Sequence, residues 1–119
     1  MAAGMLVAGG AGSAAAESTA TTASCEVHIG NTYKSGYLIN GSGSIASSCP
    51  SDTRGSVSIE RWTGLRWLIV ASYSIRPGGN NTIQYDCRGS GTQSWQTVVR
   101  GLLPEGYRSK ISNRIRVSC

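Results

Sequence analysis

From Cys25 onward the apolar positions of this chain recur every second residue in short bursts, and each burst ends in glycine, serine, proline or asparagine. In SVSIERW, Val57, Ile59 and Arg61 share one side while Ser56, Ser58, Glu60 and Trp62 share the other, the two-residue period of a strand. Thr63-Gly64 then has hairpin length. LRWLIVAS, residues 65–72, is apolar on both sides and predicts a central strand covered on both faces, with Leu65, Trp67 and Ile69 on one side. TIQYDC directs Ile83, Tyr85 and Cys87 one way, QSWQTVVR directs Trp95, Thr97 and Val99 inward, and the closing ISNRIRVSC alternates Ile115, Val117 and Cys119 with polar residues. CEVHI and GYLINGSGSIAS supply two further strands, the second interrupted by glycines.

No window carries a sustained helical period. About seven strands, with turn signals at intervals of roughly 8 to 12 residues, predict an all-β fold: an antiparallel, immunoglobulin-like β-sandwich. Pro77-Gly78-Gly79-Asn80-Asn81 and Pro104-Glu105-Gly106 are the strongest breaks. GSGS at 41–44 and RGSGT at 88–92 read as turns, since neither joins a strand to a helix as a phosphate-binding loop would.

Residues 1–24 form a separate unit ahead of the 25–119 domain. They are almost entirely Ala, Gly, Ser and Thr, with an apolar cluster at Met5-Leu6-Val7 and a small-residue stretch at Ala14-Ala15-Ala16, the form of a secretory signal remnant and flexible tail. No Lys or Arg precedes Lys34, so the basic start of a signal is missing. The apolar cluster is too short to span a bilayer as a helix, which predicts no membrane span.

Cysteine usage strengthens the expectation of export. Cys25, Cys49, Cys87 and Cys119 are an even set without a C-x-x-C pair, and His28 is the only histidine, so no zinc site is expected. Four cysteines allow three pairings. Cys25 opens the first strand and Cys49 closes the second, so a hairpin joins them; Cys87 and Cys119 end strands at one end of the domain. The favoured pairing is therefore Cys25–Cys49 and Cys87–Cys119, formed in an oxidising compartment.

Catalysis is poorly supplied. His28 stands alone in a strand, no nucleophile elbow occurs, and the acids Glu17, Glu26, Asp52, Glu60, Asp86 and Glu105 form no close pair. Glu60 beside Arg61 and Asp86 beside Arg88 read as charge-balanced surface positions. Asn40-Gly41-Ser42 and Asn80-Asn81-Thr82 have the form of glycosylation acceptors, relevant only in a eukaryotic secretory pathway. The reading is no enzyme, no cofactor and no metal. The net charge of +5 is spread among strands without a basic run, which argues against nucleic acid.

Tryptophan and arginine dominate interface hot spots because they desolvate large areas and still donate hydrogen bonds. Arg61, Trp62, Arg66 and Trp67 cluster around one turn and are the candidate partner-binding residues, with Tyr73 a further addition. The strand phase predicts that one of the two indoles is core and the other exposed.

V-x-I-x-R-(x)-W with W-x-x-V-A, a glycine loop, D-C, G-T-x-x-W and a terminal cysteine resembles bacterial immunoglobulin-like domains and small secreted actinobacterial proteins. Its carriers are Val57, Ile59, Arg61, Trp67, Val70, Ala71, Cys87, Gly91, Thr92, Trp95 and Cys119. Among these, the chain is similar to the adaptor subunit of umbrella toxin particles. That resemblance implies a secreted adaptor joining a lectin subunit to a repeat-bearing toxin subunit, with residues 17–24 as an inserting tail. The alternatives are a carbohydrate- or cell-surface-binding module, and a small protease inhibitor with Arg76-Pro77 as bait.

Overall fold

The computed structural model describes residues 24–119. The expected signal segment and most of the expected tail, residues 1–23, lie outside the described residues. Nine strands follow in order: β1 (Val27–Ile29), β2 (Tyr33–Ser35), β3 (Leu38–Ile45), β4 (Arg54–Trp62), β5 (Trp67–Ile75), β6 (Asn81–Asp86), β7 (Thr92–Leu103), β8 (Gly106–Ile111) and β9 (Ile115–Ser118). No helix occurs among the described residues.

The strands form two antiparallel sheets. One runs β9-β7-β4-β5, with β8 pairing the other half of β7; the second has β1 and β2 on one side of β3 and β6 on the other. Between them lies an apolar core of Val27, Ile39, Ile45, Val57, Ile59, Ile75, Ile83, Trp95, Val99 and Leu103, joined by Cys49 and Cys87. The chain is therefore the expected β-sandwich. Trp95, Thr97 and Val99 point inward as the alternation requires, and all three are fully buried.

Both favoured disulfides are present. Cys25–Cys49 ties the start of β1 to the segment after β3 within one sheet, whereas Cys87–Cys119 joins the end of β6 to the end of β9 and so links the two sheets. The registers place these bridges at opposite ends of the sandwich: Ser118 pairs with Thr92 at one end of β7, and Leu103 pairs with Gly106 at the other.

Three expectations are corrected. GSGS at 41–44 is not a turn but lies inside β3. A Cβ at Gly41 would collide with the Thr97 side chain, and one at Gly43 would stand 3.1 Å from Val99 and 3.3 Å from Val57. Glycine here lets β3 press against the opposite sheet, whereas RGSGT does turn the chain, with Ser90 N–H bonded to the Cys87 carbonyl.

Second, among the described residues the segment after Thr63-Gly64 is an edge strand, not a central one: β5 pairs there with β4 alone. The ladder skips Val70 between the Ile59–Ala71 and Glu60–Ile69 pairs, a β-bulge. Consecutive Val70 and Ala71 can then both pack against the core, which alternation alone forbids. That run of inward residues imitates two-sided burial in the sequence. Leu68, Ile69 and Tyr73 are exposed.

Third, Asn40 is buried within β3 and its Oδ1 accepts from Gln84 Nε2 at 2.8 Å, so it presents no glycosylation acceptor in the folded protein.

Candidate functional site

The hairpin between β4 and β5 carries the candidate residues. Its loop, Thr63–Arg66, is closed by Thr63, whose N–H and hydroxyl both donate to the Arg66 carbonyl at 2.9 and 3.0 Å. The same hydroxyl accepts from the N–H groups of Leu65 and Arg66. Gly64 takes φ of +99°, a conformation that a side chain would strain. Leu65 belongs to this turn and not to a strand; it is 91% exposed at the tip.

Trp62 and Trp67 are a register pair whose ring centroids lie 5.4 Å apart at 56°. Neither joins the core, which contains only Trp95 among the tryptophans. The expectation of one core indole is thus wrong. The extra residue at Val70 shifts the phase of β5, so that Trp67 shares the outward face of the sheet with Trp62. Trp62 is 38% exposed, Trp67 half-buried, Arg66 exposed, Arg61 half-buried and Tyr73 54% exposed. The hairpin brings Trp62, Arg66 and Trp67 together; Arg61 pairs with Leu68 and core Trp95 and so lies on the other face of the sheet, while Tyr73 lies farther along the β5 edge.

Residues that the alternation did not mark complete this surface. Arg114 lies over the Trp67 ring, 5.3 Å from its centroid, and donates from Nε to Gln96 Oε1 at 3.1 Å. Arg116 donates to Ser94 Oγ at 3.1 Å. Together with Ile115, these groups line an open groove of about 460 Å³.

The backbone of Arg114 is held in place by its neighbour. Asn113 accepts from the Thr32 N–H at 2.8 Å and donates to the Thr32 carbonyl at 3.1 Å, mimicking a strand partner across the two sheets. Thr32 is itself buried against Thr97 and Ser112, with both hydroxyl contacts at 2.6 Å.

Behind the groove, the outward face of the sheet carries a polar network. Glu60 accepts from Gln96 Nε2 at 2.9 Å and from Arg100 Nη2 at 2.8 Å, and Arg100 also donates to Ser58. Its charge is therefore balanced by Arg100 and not by adjacent Arg61. Burial opposes the Arg100 charge, but hydrogen bonding and attraction to Glu60, aided by Tyr107, carry its pKa above the ordinary arginine value. Asp86 and Arg88 do pair as expected, at 2.7 Å.

For chemistry the described residues offer little. His28 is exposed on β1. No group of three His, Cys, Asp or Glu side chains gathers among the described residues in a way that would hold a metal ion. Nor do they include a helix long and apolar enough to cross a membrane.

No family model, curated protein or solved structure matches this chain.

Proposed function

We propose that this protein is a secreted, non-enzymatic adaptor that docks other proteins through its β4–β5 hairpin and the adjoining β5 edge. The observation that carries this reading is the placement of both indoles outside the core, on a hairpin whose second strand has no outer partner among the described residues. β5 reads WLIVASYSI: nine residues with no charge and no proline, the usual guards of an edge. Such an edge accepts another chain through backbone hydrogen bonds, and the tryptophans and arginines beside it supply side-chain anchors.

Two disulfides in a small domain support an oxidising, extracellular setting. The particular assembly proposed is the one implied by the resemblance to umbrella toxin adaptors, with a lectin subunit and a repeat-bearing toxin subunit as partners. Ser24, the first described residue, lies at the end of the sandwich opposite the hairpin, which supports a second point of attachment there.

The test is affinity purification of the tagged protein from its native secreting host, beside its Trp62→Ala variant. Recovery of a large repeat protein together with a lectin, reduced in the variant, supports the adaptor. Recovery of the wild-type chain as a lone monomer overturns it.

A carbohydrate platform is less well supported. The two rings are steeply tilted to one another and Arg114 covers one face of Trp67, so they offer no flat stacking surface.

A further inference from the structure

The groove beside the tryptophans has a charge pattern that indicates what it receives. Among the described residues the ion pairs are Arg88–Asp86, Arg100–Glu60 and Lys110–Glu26. Arg114 and Arg116 are in none of them. Each is instead held by a neutral acceptor, Gln96 Oε1 for one and Ser94 Oγ for the other. A guanidinium has five N–H donors, so both retain donors that can face the groove. Gln96 matters here because it bonds Glu60 on one side and Arg114 on the other, fixing the arginine without cancelling its charge.

Spacing narrows the ligand further. Arg116 lies opposite Ser94, and Arg114 continues that register to Gln96, so the two arginines share one face two residues apart. Alternate residues of a strand are about 6.6 Å apart. Carboxylates on alternate residues of an extended peptide have the same repeat. The apolar rings of Trp62 and Trp67 lie alongside and suit an aliphatic residue neighbouring those acids.

We infer that this groove binds an extended acidic peptide segment of the partner, with two carboxylates on alternate residues meeting Arg114 and Arg116. This rests on the adaptor reading and assigns the chemistry of the partner at that site. Paired guanidinium–carboxylate contacts are directional and charge-assisted, so they would fix the register of a segment docked beside the hairpin.

The test uses a blocked tetrapeptide with glutamate first and third, leucine second and serine last. Its counterpart replaces both glutamates with glutamine, and an oligogalacturonate of equal charge serves as a polyanion of another class. Tryptophan emission of the full chain is titrated with each at low salt. The acidic peptide is expected to give a saturable change that the glutamine peptide and the oligogalacturonate do not. Arg116→Gln should weaken it about tenfold or more, whereas Arg108→Gln, which removes the same charge at the far end of β7, should not. Added salt should weaken it in the wild-type protein.

Equal binding of the glutamine peptide, tighter binding of the oligogalacturonate, equal loss in both arginine variants, or no emission change would each overturn the assignment. Capture of partner proteins from the host together with any of those results would retire the acidic-peptide groove and leave the adaptor standing.

Discussion

Glu60 meets Arg100 at 2.8 Å on the outward face of its sheet, where none of the described strands forms a second layer, yet its side chain is only 5% exposed. The carboxylate is covered by its own hydrogen-bond partners, Arg100 and Gln96. Removing it leaves both without their acceptor, and an unsatisfied group costs about 1–3 kcal/mol. Glu60→Ala should therefore lower the urea midpoint by an amount in that range, and Glu60→Gln by less. Because Arg114 is oriented through Gln96, the alanine variant should also alter the near-ultraviolet signal of the tryptophans.

Deleting Val70 should remove the bulge and join the Ile59–Ala71 and Glu60–Ile69 pairs into one unbroken ladder. Trp62 and Trp67 remain a register pair in that ladder, so their contact at 5.4 Å should persist. Exciton-type circular dichroism from the indole pair should therefore survive in this variant and vanish in Trp62→Ala. A lost couplet would show that the ladder does not close over the deletion.

Gly41→Ala adds one methyl group where Thr97 already sits, and Thr97 is pinned by Thr32 and Ser112. Overpacking of this kind costs about 1–3 kcal/mol. Thermal unfolding should show Gly41→Ala as clearly destabilised. Substitution at exposed Ser47 should leave the midpoint nearly unchanged.

The disulfides close separations of 24 and 32 residues, for which chain entropy gives similar contributions of roughly 3–4 kcal/mol each. Each bridge has one core cysteine and one that packs against the core, but Cys87–Cys119 ties the two sheets together while Cys25–Cys49 stays within one. Replacing Cys87 and Cys119 with alanine should consequently cost more than replacing Cys25 and Cys49, read as urea midpoints of the two double variants.

Hydrogen bonds from the Arg88 side chain and backbone hold the Asp86 carboxyl below its ordinary pKa. A depressed folded-state pKa contributes stability above the unfolded value of about 3.9 and loses it as pH falls through the folded value. Wild type should thus melt above Asp86→Asn near neutrality, with the difference closing in acid. The gap should be small and should shrink in high salt, since the pair is exposed.

What the amino-acid pattern conveyed depended on whether a strand buries side chains. β6 and β7 do, and their alternation placed Ile83, Cys87, Trp95, Thr97 and Val99 as they stand. The same strand map led to both disulfides. Tyr33–Ser35 has all three side chains exposed and Gly106–Ile111 has none buried, so backbone ladder bonds hold these strands and leave no hydrophobic period to detect.

The candidate site was legible as residue types around one turn, and Trp62, Arg66 and Trp67 lie there side by side, whereas Arg61 is on the other face of the sheet. Arg114 and Arg116 were not, because they reach the groove from β9 and its approach, far along the chain. Their contacts with Gln96, Trp67 and Ser94 depend on pairing that only the folded sheet creates. Glu60 was assigned its neighbour Arg61 for the same reason, when its partner lies 40 residues away.

The position of the two ends of β7 has a mechanical consequence. Ser24 and Cys25 lie near Leu103, and the tryptophan hairpin turns near the opposite end of β7, where Arg61 pairs with Trp95. The twelve residues of β7 cover most of that span, about 40 Å at 3.3 Å per residue. Tension applied between those two points runs along the strands, not across them. The ladder bonds are then loaded in shear, many at once, instead of being unzipped in turn. The domain is therefore stiff along the line between those two points.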